Sequence, residues 1–134
     1  MIVAGLTTAF CLFAGSLAGF ALSRLEIRGR FGILAAILSV SMFPQIAIVG
    51  PLYLLAADYG FLDTYSGLVI TYVALGVPLV TWVMFGYFDT IPRELDEAAR
   101  MDGCSAFGIF WRIILPISVP SLVTTGLLAF IAAW

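Results

Sequence analysis

The sequence predicts an all-α membrane protein, a polytopic bundle of four transmembrane helices, and three observations carry that reading. Of its 134 residues 63% are hydrophobic and only 10% are charged, far below the quarter or so typical of soluble domains. Four stretches, Met1 to Ser23, Phe31 to Ala57, Thr64 to Phe88 and Ile113 to Trp134, contain no charged side chain. The basic residues, all arginines, fall in just two places between those stretches.

Each apolar stretch is long enough to cross, because a helix rises 1.5 Å per residue and the hydrocarbon core is about 30 Å thick. The spans are set at about 1–23, 31–50, 65–88 and 113–134, in one transmembrane domain over 1–134. Pro51 is expected to end the second span and leave Leu52 to Ala57 at the membrane surface before the turn Asp58-Tyr59-Gly60. Met1 to Ser23 lacks the positively charged start of a secretory signal and is long for one, so a true span is expected there.

Arginine placement orients the bundle. Arg24, Arg28 and Arg30 lie between the first and second spans, and Arg93, Arg100 and Arg112 between the third and fourth, while the loop carrying Asp58 and Asp63 has no base. Basic residues accumulate in short cytoplasmic loops, which puts both arginine loops in the cytoplasm and both chain ends outside. That arrangement, with apolar sequence running to each end, is expected of four spans from a six-span subunit.

Composition also removes functions. The chain has no histidine, the commonest metal ligand and the commonest base near neutral pH, and no metal site is expected. Cys11 and Cys104 match no zinc or redox spacing and read as small apolar fillers. An intramembrane enzyme would need acids, nucleophiles or ligands within its spans, and these spans hold no Asp, Glu or His. A structural or assembly role for the bundle stays open on these grounds.

Within the spans, Gly15 and Gly19 form a GxxxG that lets a second helix approach closely, either inside this bundle or at a subunit interface. Pro44 and Pro78 are expected to bend their helices. With Gln45 and Thr71 as hydrogen-bonding groups, these prolines mark either a translocation pathway for a neutral polar solute or simple packing geometry. Tyr53, Tyr59 and Tyr65 fit an aromatic belt, or contacts with a soluble partner.

Charge gathers at length only in the loop 89–112. It reads as a short helix capped by Thr90, with Pro92 in its first turn, Glu94, Asp96 and Glu97 at its positive end, an Asp96–Arg100 pair and Gly103 as its left-handed stop. Ser105 then caps a second helix from Ala106, which places Phe107, Phe110 and Trp111 at the interface and enters the fourth span past Pro116 and Pro120. Leu95, Ala98, Ala99 and Asp102 fall at helical spacing as one face of small residues, with Glu97 beside it as a carboxylate for a partner's arginine. A docking helix and a solvated reversal of the chain fit these residues equally.

Glu97-Ala98-Ala99, Asp102-Gly103 and Leu115-Pro116 resemble the EAA motif of ABC-transporter importer permeases. Phe43-Pro44, Pro51-Leu52-Tyr53, Gly60-Phe61-Leu62-Asp63-Thr64, Pro78 and Ile91-Pro92-Arg93-Glu94-Leu95 are similar to its carbohydrate-uptake branch, of maltose and trehalose type. The resemblance implies a six-span permease fold in the cell inner membrane, of which this chain holds the second to fifth spans. It implies a subunit that does no chemistry and binds no cofactor, with ATP and Mg held by a partner ABC ATPase. Glu97, Ala98, Ala99 and Gly103 would form the helix that docks in that ATPase, and Cys104 replaces the alanine usual after the glycine. The further partners implied are a second permease subunit, an extracytoplasmic solute-binding protein, membrane lipid and a di- or oligosaccharide, with no nucleic acid. Amino acids, peptides and polyols remain as solutes of the same class.

Overall fold

The computed structural model describes every residue except Phe43, and of Gln45 the backbone alone. All regular elements among the described residues are helices: α1 (Ile2–Arg24), α2 (Arg30–Ser41), α3 (Gln45–Asp58), α4 (Tyr65–Thr90), α5 (Glu94–Met101), α6 (Ala106–Ile109), a π turn (Phe110–Ile114), α7 (Leu115–Ile117) and α8 (Val119–Ala133). By length and composition α1 and α4 can each cross a membrane, and the number rises to four if each of two bent pairs is one span.

The centre of the fold is the contact between α1 and α4. A Cβ added at Gly15 would lie 2.6 Å from Val80 Cγ1, and one at Gly19 would lie 2.9 Å from the Phe85 backbone nitrogen. The GxxxG therefore serves packing inside this bundle. Lipid tails are as apolar as leucine, so helices in a bilayer associate through close van der Waals fit, which small residues permit. Below the glycines Phe20 meets Phe110 at 5.0 Å between centroids and Phe88 edge-on at 6.4 Å. Met84, Ile109 and Ile114 complete the buried cluster, with Ala129 of α8 at its margin. Cys11 is wholly buried against this core and Cys104 packs at its edge, as expected of apolar fillers.

Two expected spans are not single helices. The stretch 31–50 divides into α2 and α3, whose axes stand 85° apart. Pro44 has φ −58° and ψ 113°, outside the helical region, and a proline disfavours helix at the residue before it. That residue, Phe43, lies outside the described residues. Pro51, expected as the end of this span, sits inside α3, which continues to Asp58.

The stretch 113–134 also breaks. Residues Ala106–Ile117 meet α8 at 80°. Pro116 has no amide hydrogen to continue an α-helical ladder, and the turn before it is widened to π, with the Leu115 amide bonded to the Phe110 carbonyl. At the corner Ser118, fully buried, donates through its amide and its hydroxyl to the Ile114 carbonyl, at 3.0 and 2.7 Å. Pro120 follows in the first turn of α8, where its missing donor costs nothing.

Gly15→Leu or Gly19→Leu is expected to cost about 1–3 kcal/mol through forced separation of α1 from α4. Gly5→Leu, on the same helix with no atom within 4 Å of its added Cβ, should be neutral. Thermal unfolding of the detergent-solubilised protein measures the contrast.

Candidate functional site

At the arginine-bearing end the loop 89–112 is built by local rules. Thr90 does not cap the docking helix as expected. It closes α4, its hydroxyl donating to the Tyr87 carbonyl at 2.6 Å. Pro92 holds Ile91 extended, at φ −75° and ψ 131°, so the chain turns before α5 starts at Glu94 with Arg93 as its N-cap. Glu94, Asp96 and Glu97 occupy its first turn, where a helix favours negative charge.

The far end of α5 closes as predicted. Gly103 has φ +81°, the Cys104 amide donates to the Ala99 carbonyl at 2.9 Å and the Gly103 amide to that of Arg100 at 3.0 Å. This is the paired bonding of a Schellman stop. Ser105 accepts from the Gly108 amide at 3.2 Å and starts α6.

One side chain binds this loop to the bundle. Arg24, at the end of α1 and 5% exposed, donates to the Phe88 and Ile91 carbonyls, each at 2.7 Å, and pairs with Asp96 at 3.1 Å. The expected Asp96–Arg100 pair does not form. Arg24 is already oriented by two carbonyls in a site closed to water, where an ion pair is stronger than one with the exposed Arg100. Arg93 adds a bond to the Ser23 carbonyl at 3.2 Å. Arg24 Nε and Asp96 Oδ1 are enclosed without hydrogen-bond partners of their own among the described residues.

The pairing sets which face of α5 is outward. Leu95, Glu97, Ala98 and Asp102 are exposed, as is Gly103, but Ala99 is 5% exposed and packs into the core. Ala99 is thereby corrected from a surface residue to a seat for the helix. Its neighbour Asp96 faces the same way. Phe107 and Trp111, ring centroids 6.0 Å apart, wall a hollow that begins at Asp102 and Gly103 and also takes in Arg112. Phe110, expected with them at the interface, is buried at 2% exposure.

Of the four residues read as a pathway, the three whose side chains are described do not converge on one space. Pro44 is exposed at the break between α2 and α3, the side chain of Gln45 lies outside the described residues, Thr71 is half-buried and Pro78 is buried on α4. A cavity of about 120 Å³ lies elsewhere, between α1, α4 and α8, lined by Thr7, Cys11, Tyr72 and Gly76 among others. The Thr7 hydroxyl is buried there without a partner among the described residues. Arg24 and Thr7 were missed in the sequence. An arginine at a span's end looks like any basic flank, and a threonine in an apolar run carries no mark of its face.

Comparison with known proteins bears on this arrangement. A model of the family described as "Binding-protein-dependent transport system inner membrane component" matches residues 11–134. The trehalose/maltose transport system permease protein MalG of Thermococcus litoralis is 44% identical over 134 residues, covering 100% of this chain and 48% of that protein. The sulfoquinovosyl glycerol transport system permease protein SmoH of Agrobacterium fabrum is 36% identical, covering 98% and 46%. A chain in the crystal structure of a bacterial ABC transporter involved in import of the acidic polysaccharide alginate superposes with a TM-score of 0.71 at 30% identity, over 98% of this chain and 49% of that one. The chain thus spans about half the length of the curated relatives it matches.

Arg24→Ala removes one partner of a buried ion pair and two charged hydrogen bonds, and about 3–5 kcal/mol of stability is expected to go with it. Arg93→Ala, whose 3.9 Å pair with Asp89 is about half exposed, should cost under about 1 kcal/mol. Thermal unfolding ranks the two variants, and limited proteolysis within 89–105 should rise only for Arg24→Ala.

Proposed function

The chain belongs to the binding-protein-dependent transport system inner membrane components, and from that membership we propose that it forms the middle of a permease subunit in an ATP-driven importer of di- or oligosaccharides. The sugar class rests on its relatives, whose names give trehalose, maltose and a sulfoquinovosyl glycerol as what they transport. In this reading α1 and α4 are two of the four spans, the bent pairs α2–α3 and Ala106–Ile117 with α8 are the other two, and the arginine loops face the cytoplasm.

The observation that carries the mechanism is the outward face of α5. Leu95, Ala98 and Asp102 are exposed with Glu97 beside them, on a helix whose opposite side is fixed to α1 and α4 through Asp96 and Ala99. A partner ABC ATPase takes α5 into a cleft. The face is small at Ala98 and Gly103 and apolar at exposed Leu95 and Met101, so the surfaces close on one another, and Glu97 pairs with a basic group of the cleft. Exposed Phe107 and Trp111 border the same seat.

Movement of the ATPase on binding ATP then displaces α5. Because Arg24 and Asp96 join α5 to the ends of α1 and α4, the displacement passes into those two helices as one body. The solute crosses beside them when the bundle tilts against a second permease subunit, after delivery by an extracytoplasmic binding protein. Hydrolysis belongs to the ATPase; this chain supplies the lever and part of the passage.

Glu97→Lys places like charge against the cleft, and Gly103→Pro cannot adopt the φ of +81° that ends α5. Both variants of the full-length subunit should insert normally and lose at least tenfold in uptake and in sugar-stimulated ATP hydrolysis by the assembled transporter. Normal stimulated hydrolysis in Glu97→Lys would overturn the docking role. Uptake of a labelled panel of di- and oligosaccharides, amino acids and polyols tests the solute class.

A further inference from the structure

Three arginines meet in a hollow on the arginine-bearing surface that the docking face does not use. Arg28 and Arg30 reach it from the turn between α1 and α2, and Arg93 from the start of α5; Leu25, Glu26 and Ile27 complete its lining. Two of these cations converge on one oxygen. Arg30 donates to the Ser23 carbonyl at 3.3 Å and Arg93 donates to the same carbonyl at 3.2 Å. Like charges drawn to one neutral acceptor repel each other unless an anion joins them.

Within the lining, three arginines stand against one acid. Glu26 is the one carboxylate that lines the hollow. Asp89 stands 3.9 Å from Arg93 in a pair about half exposed, and Asp96 is taken by Arg24. Arg30 also lies over the Phe31 ring at 4.9 Å, a contact that orients the guanidinium and leaves its charge in place. Arg28 is exposed and makes no hydrogen bond or ion pair among the described residues.

The hollow lies at the turn that joins the apolar helices α1 and α2, and beside it Phe31 is 64% and Leu25 38% exposed. A free anion would use the guanidinium groups alone. A phospholipid uses both parts, its phosphate against the arginines and its acyl chains along Phe31 and the apolar surface of α2.

We propose that Arg28, Arg30 and Arg93 form a binding site for an anionic phospholipid headgroup at the membrane surface. Guanidinium groups meet phosphate oxygens with paired hydrogen bonds, and each basic residue near an anionic membrane surface contributes about fivefold in affinity. The bound lipid would neutralise the charge between the α1–α2 turn and the start of α5, and so brace the joint at Ser23.

The test uses the full-length subunit in nanodiscs, with native mass spectrometry counting retained lipid, a readout independent of whether the protein imports sugar. Phosphatidylglycerol should be retained over phosphatidylcholine. Arg28→Gln with Arg30→Gln should cut that preference roughly thirtyfold, whereas Arg28→Lys with Arg30→Lys, which keeps the charge, should retain most of it and report on folding. Arg112→Gln, on the same surface but outside the hollow, should change nothing. Equal loss in Arg112→Gln would mean general attraction to the charged surface and overturn the site. Displacement of the lipid by 10-fold excess inorganic phosphate alone would assign the hollow to a soluble anion and overturn it also.

Discussion

The guanidinium group of Arg24 holds together parts of the chain that have no other strong reason to stay in register. It takes the Phe88 carbonyl in the last turn of α4 and that of Ile91 just past its end, and the Asp96 carboxylate in the first turn of α5. Carbonyls at a helix end carry partial negative charge and lack partners within the helix, so a cation there satisfies what the helix leaves over. The same group then fixes the rotation of α5. With Asp96 and Ala99 turned inward together, only the opposite side of the helix is left exposed.

 

The outward face of α5 depends on chemistry hidden beneath it. Ala99 is small enough to let α5 lie against the core, and the glycines of α1 let α4 come within backbone contact of it. Helices that touch through glycine and alanine have few side chains to deform between them, so force applied at one end is passed on as displacement. A bundle built from long flexible side chains would absorb part of the same movement.

Much of this was legible in the sequence where a residue's chemistry acts locally. Gly103 stops α5 and Ser105 starts α6 because positive φ and an N-cap oxygen are properties of those residues themselves. Pro116 and Pro120 announced a bend, although the π turn and the 80° corner at Ser118 depend on how freed carbonyls find donors. Local reasoning failed where distant groups compete. Arg100 lies one turn from Asp96 within α5, yet Arg24 wins because burial and two carbonyls have already oriented it. Ala98 and Ala99 look alike in sequence, and only the direction imposed by that ion pair separates the outward residue from the inward one. The motif resemblance singled out this segment without revealing which of its residues face outward.

The bonds from Arg24 also join residues 64 and 67 positions apart in the chain. A ribosome adding about 5–20 residues per second presents Arg24 roughly 3–13 s before the carbonyls that receive it. During that interval the guanidinium must remain at the wet edge of the bilayer, among headgroups and water, while α1 waits beside an incomplete bundle. Assembly of this segment therefore includes a dehydration step: the late arrival of the 88–96 segment strips water from a charge that translation exposed early, and α5 acquires its fixed orientation in that moment.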